Sequence, residues 1–198
     1  GSVKYLTTDC RETLERASAR ETAVRVAAGA LVAGFLRELG IEGFGFVRSV
    51  HVEATAAQVT EANWRQMREV RDASDTYCPD PQATERQHAV IHQAKVDKTT
   101  VGGLVEAHVF GCPPGIGSCM DWRDRLDARV AYAVMGIQAF KAVEMGIGKE
   151  AAGRFGHEVH DPIAFDPARV NDRGLGFVRT TNNAGGTEGG MSTGAPIV

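Results

Sequence analysis

Apolar and polar positions along the chain change period several times, and each change predicts an element. In "LERASARETAVRVAAGAL", residues 14 to 31, the spacing is helical but the content is uneven. Glu15, Arg16, Arg20, Glu21 and Arg25 crowd its first half, and its second half is almost all Ala, Gly, Val and Leu. Asp9 followed by Glu12 reads as a capping box and Gly40 as the stop, which predicts one helix of about thirty residues crossing the whole core. Its row of small residues, Ala17, Ala23, Ala27, Ala30 and Gly34 among them, allows other helices to approach closely. The charged half has two explanations: surface pairs, or Arg20 and its neighbours facing a bound anion.

The period then switches to two. In "FGFVRSVHVE", residues 44 to 53, Phe44, Phe46, Val50 and Val52 alternate with wetter positions, which predicts a strand with one covered face. A short helix is expected from Thr60 through Arg71, and Asp80-Pro81 starts another that runs to about Lys95. "VGGLVEAHVF" (101 to 110) predicts a second strand, and "GCPPGIGS" (111 to 118) a loop. Helical spacing returns in 123 to 140, with Leu126, Val130, Ala133, Val134 and Ile137 on one face, and "FKAVEMG" (140 to 146) is expected to follow as a strand. An irregular stretch from 153 to 173 leads to a short strand, "GFVRTT", and a glycine-rich loop, "NNAGGTEGGMSTG". Long helices combined with half-buried strands predict an α+β layered fold in a single domain, 1–198, with no internal linker.

Composition narrows the function classes. The chain has 198 residues, 43% of them hydrophobic, enough for a real core. A formal net charge of −3 argues against nucleic acid or an anionic membrane as the main partner. No apolar run reaches the roughly 18 residues a membrane span needs. Cys10, Cys78, Cys112 and Cys119 fit no zinc spacing and read as free thiols of a reducing cytoplasm. His88 and His92 stand at i and i+4, but without a third ligand beside them they read as a solvated helix face. Trp64 and Trp122 read as packing or interface residues, and Asp127 and Glu144 as pairing carboxylates.

Three segments in order carry a resemblance. "ERASARETAVRVAAGAL" comes first; "GGLVE", "GCPPGIGS" and "LDARVAYAVMGIQAFKAVEMG" form the second; "TTNNAGGTEGGMSTGAPI" is the third. Together they are similar to the signatures of the chorismate synthase family. The family's N-terminal Gly-x-Ser-His-Gly and Arg-Pro-Gly-His motifs, which carry its two proton-transferring histidines, have no match here, and neither do its Lys-Pro and Arg-Ser-Asp segments. The chain is therefore expected to be the middle portion of a family member, truncated at both ends. Its opening Gly1-Ser2 is either an appended remnant or the cut edge of something longer.

The resemblance implies a β-α-β sandwich with long helices between antiparallel sheets, assembled as a homotetramer in the cytoplasm. It implies a lyase that eliminates phosphate from 5-enolpyruvylshikimate 3-phosphate, a phosphorylated cyclohexene carboxylate, to give chorismate with reduced FMN. Carried over residue by residue, it implies flavin contacts from Ser18, Ala19, Arg20, Gln138, Ala139 and Gly189, with Arg20 also on the substrate. A guanidinium suits that task because it grips phosphate or carboxylate in two places. Two alternatives stand beside this reading: a flavin-independent lyase or dehydratase acting on a cyclohexene carboxylate, and a non-catalytic oligomerising partner.

Overall fold

In the computed structural model, which describes residues 1–18 and 20–198, the helix expected from Asp9 to Gly40 is broken. After α1 (Ser2–Tyr5) come α2 (Arg11–Ala17) and α3 (Glu21–Glu38). Ser18 is extended, with φ −75° and ψ 152°, and an extended residue cannot continue the i to i−4 ladder. The expected Asp9–Glu12 capping box does not form either. Cys10 is the N-cap, and the Asp9 carboxylate instead accepts the Arg11 N–H at 3.0 Å. Nor does α3 cross a core: none of its residues is buried, and Val24, Leu31, Val32 and Phe35 are exposed.

The described residues form two compact units. The second holds residues 43–110 and 196–198. It contains most of β1 (Glu42–Val50), then β2 (Glu53–Ala54), α4 (Trp64–Asp72), α5 (Pro81–Val96) and β3 (Gly103–Phe110), in a sheet ordered β2-β1-β3. The period-two pattern holds in its first half, where Phe44 and Phe46 turn the same way and join Trp64 and Phe110 in a buried cluster, but β1 ends at Val50, His51 turns left-handed at φ 53°, and Val52 is exposed. Trp64 lies parallel to Phe110 with centroids 5.3 Å apart. The Asp80-Pro81 signal is also sound: the Asp80 carboxylate accepts the N–H groups of Gln82 and Ala83, and Pro81 opens α5.

Two features of this unit were outside any local pattern. Arg48 and Glu106 form a two-pronged pair, with N···O distances of 2.7 and 2.8 Å, and His108 Nε2 meets the same carboxylate at 2.7 Å. Arg48 also donates to the carbonyls of Thr55 and Ala57, tying the turn after β2 to the sheet. The second feature is on the side of β1 turned away from β3. β2 covers β1 there only at Ser49 and Val50. Further along, α4 takes over: Arg68 donates to the Gly43 carbonyl and Arg71 to the Gly45 carbonyl. Both guanidiniums lie over aromatic rings, Arg68 over Trp64 at 4.6 Å and Arg71 over Phe44 at 5.0 Å.

The first unit holds residues 1–42 and 111–195. Its later elements are α6 (Leu126–Met135), α7 (Gly156–Val159), a β4 (Ile163–Phe165) and β5 (Phe177–Arg179) hairpin, and a β6 (Thr187–Glu188) and β7 (Met191–Ser192) hairpin. α6 is shorter than expected because Arg125 is still extended at ψ 131° and Gly136 ends the helix. "FKAVEMG" forms no strand among the described residues, because no neighbouring strand shares a ladder with it. The stretch expected to be irregular supplies β4, which pairs antiparallel with β5 from Ile163↔Arg179 to Phe165↔Phe177. The expected α+β class holds throughout.

Candidate functional site

The break at Ser18 sets the geometry around Arg20. Because the chain is extended there, the Arg20 N–H folds back onto the Ser18 hydroxyl at 3.3 Å, and α3 begins one residue later. Among the described residues no side chain caps that helix end. The Arg20 guanidinium reaches back to Glu15 at 2.7 Å, and both side chains are open to solvent, at 74% and 60% exposure. Ala19 lies outside the described residues.

Glu21, the first residue of α3, connects this corner to a distant part of the sequence. Its carboxylate receives Arg25 Nε on both oxygens, at 3.0 and 2.8 Å, and Gln138 Nε2 at 2.8 Å. The bonds from Gln138 and then Arg25 hold the Glu21 carboxyl below its ordinary value. Gln138 stands just beyond the end of α6. Its other amide atom, Oε1, is buried and among the described residues has no hydrogen-bond partner. Ala139 beside it takes φ 68°, a left-handed conformation uncommon for a residue with a side chain.

Gly189 is placed elsewhere. It and Gly190 form the two-residue turn between β6 and β7, with φ 59° and 87°, the geometry of the tight hairpin turns that glycine favours. The Gly190 carbonyl accepts the N–H of Leu126 at 2.7 Å, so this hairpin sits at the start of α6. Gln138 follows the far end of a ten-residue helix about 15 Å long. The chain thus brings Ser18, Arg20 and Gln138 to one corner, through Glu21, and holds Gly189 at the opposite end of α6.

The family model for chorismate synthase matches residues 1–198. The chain belongs to the chorismate synthase family. It is similar to the chorismate synthase of Geobacter sulfurreducens, with 47% identity over the whole chain and 50% of the relative. The chorismate synthase of Bacillus subtilis is 46% identical over the whole chain and 49% of that relative. A crystal structure of chorismate synthase superposes with a TM-score of 0.91 at 40% identity, covering all of this chain and 59% of that one. The chain therefore has the fold of that part of a chorismate synthase and spans about half the length of the curated relatives it matches. Among the described residues, no helix is long and apolar enough to cross a membrane, and no group of three or more His, Cys, Asp or Glu residues is placed to hold a metal.

One organising residue of this chain carries no signal in the sequence. Asp161 is buried, and its carboxylate accepts the Thr181 hydroxyl, the Asn183 N–H at 2.7 Å and the Ala184 N–H at 2.9 Å. Burial pushes its carboxyl up, but the bonds from Thr181, Ala184 and Asn183 outweigh it and leave it below the ordinary value. Arg179 donates to the Asp161 carbonyl and pairs with Glu188, next to Gly189. The loop that resembles the family's third signature is therefore pinned from within. An aspartate before a proline, in an irregular stretch, gives no local sign of that role.

Proposed function

We propose that this chain carries part of a chorismate synthase-type lyase site, one that eliminates phosphate from 5-enolpyruvylshikimate 3-phosphate to give chorismate with reduced FMN. The observation that carries the reading is the buried Gln138 Oε1, unpartnered among the described residues, on a side chain bonded to Glu21 next to Arg20, in a chain of this family. The residues present fit a flavin: Gln138 offers an acceptor to a ring N–H, Ser18 a hydroxyl, and Gly189 an open backbone, since a Cβ there would meet nothing within 4 Å. When bound, reduced flavin lends electron density to the elimination and recovers it, with no net oxidation.

Arg20 receives the anion, either the departing phosphate or the ring carboxylate. To do so it exchanges Glu15 for ligand, and an ion pair this exposed gives up little when broken. The N-terminal end of α3 adds its positive dipole at the same place. Gln138 orients the ring, and Asp161 with Arg179 keeps the Gly189 turn in position. None of the residues assigned here is the base that takes the ring proton.

A homo-oligomer, a tetramer by family, suits the same geometry. A ligand that touches both Arg20 and a Gly189 turn is accommodated between copies, and the exposed apolar side chains of α3 supply surface to cover. Four free cysteines suit a cytoplasmic setting. The test is titration of this chain with reduced FMN, in the presence and absence of the phosphorylated substrate, followed by flavin absorbance and fluorescence. Saturable flavin binding that tightens with substrate, and a loss of that tightening in Arg20→Ala, is the expected result. Substrate binding with a silent flavin signal points instead to a flavin-independent lyase. Silence of both, with capture by a full-length synthase in a mass measurement, points to a non-catalytic partner.

A further inference from the structure

We infer that Glu21 is a positioning residue, which with Arg25 locks the Gln138 side-chain amide so that Oε1 is offered to a ring N–H donor of a planar heteroaromatic ligand. This rests on the flavin reading above for the ligand, but not for the lock.

An amide side chain has two faces that differ only in which end donates. Here Nε2 points at the Glu21 carboxylate, 2.8 Å away, and turning the amide over would set its oxygen against an ionised oxygen. Arg25 Nε bonds both oxygens of Glu21 and holds the carboxylate toward Gln138. The guanidinium, the carboxylate and the amide therefore form a connected hydrogen-bonded series from α3 to the segment just beyond α6. Its last atom is a buried acceptor without a donor among the described residues. Buried acceptors are almost always satisfied, and one left open costs stability unless a ligand completes it. The left-handed Ala139 next to it is the kind of local strain that gathers at binding sites.

The experiment has two arms on the full chain. In the ligand-free arm, nitrogen–proton NMR follows the Gln138 side-chain amide, assigned by its disappearance in Gln138→Leu. One of its protons is expected far from the ordinary position and slow to exchange, and Glu21→Gln returns it to the ordinary position. An amide signal that ignores Glu21→Gln overturns the lock. In the ligand arm, FMN is compared with FMN methylated on the ring imide nitrogen, which lacks that N–H. The unaltered chain is expected to prefer FMN by roughly tenfold. Glu21→Gln, and Arg25→Ala as a second variant, should bring that preference to near unity, and Glu21→Gln should have no further effect in a Gln138→Leu background. A Glu21→Gln chain that weakens both flavins equally shows a merely structural Glu21 and overturns the inference while leaving the flavin reading intact. Failure of both flavins to bind overturns the flavin reading and the ligand half of the inference together, with the NMR arm still deciding the lock.

Discussion

Replacing Glu106 by Gln removes one charge from the second unit and keeps the shape of the side chain. Burial alone would raise the Glu106 carboxyl, but the hydrogen bonds from His108 and Arg48 outweigh it and hold the group at about 2, against an ordinary 4.5. The side chain is 23% exposed, so solvent screens the pair only in part. A drop of that size corresponds to about 3 kcal/mol in favour of the folded chain. A carboxyl lowered by folding stabilises fully above its unfolded value, so this contribution is present above about pH 4.5 and is lost as pH falls towards about 2.

The assay is urea unfolding followed by Trp64 emission, since Trp64 is buried in the unit that contains the pair. Glu106→Gln is expected to be less stable than the unaltered chain near neutral pH by up to about 3 kcal/mol, because Arg48 and His108 lose their anion. The gap should close steadily between about pH 5 and pH 2. Curves that stay parallel over that range would show that the native carboxylate gains nothing from its two partners, and the reasoning would be refuted.

The glycine turn and the pinned loop give two more tests. Gly190→Ala places a Cβ 2.5 Å from the Ser118 carbonyl oxygen at φ 87°, whereas Gly189→Ala meets only the left-handed strain at φ 59°. The first should therefore cost more stability, about 2 to 3 kcal/mol against about 1, and the reverse order in urea midpoints would contradict the placement of the hairpin. Asp161→Asn sets an amide against at least one of the donors that the carboxylate now accepts. Its loss of stability should be greatest above the ordinary aspartate value and fade as pH falls below it, with a pH-independent loss counting against the network.

What was legible in the sequence was local. Asp80-Pro81 announced α5 because a cap and a fixed φ act within four residues, and Phe44 with Phe46 announced β1 because a pleat alternates every second one. The Ser18 break was not legible, since the residues around it, Ala17 and Glu21 among them, are good helix formers and Ser18 is extended by a choice of ψ that no propensity dictates. The strand expected at 140 to 146 failed for a related reason: apolar content favours a strand, but a ladder requires a neighbour. The family signatures singled out Arg20 and Gln138 as candidates. What joins them is Glu21, which lies 117 residues before Gln138 in the chain, and Arg48 and Glu106 are 58 apart. Pairings of that range follow from the fold and leave no trace in spacing.

The arginines of α4 have an effect beyond packing. A strand rim with open carbonyls invites foreign strands to attach, and such invitations underlie much aggregation. Arg68 and Arg71 close that rim by occupying successive acceptors of β1 with charged heads anchored on aromatic faces. Any strand that enlarges this sheet, whether from the same polypeptide or another, is thereby steered to the β3 side, where Val109 already exchanges two hydrogen bonds with Ile197. Growth of the sheet has been given a single direction.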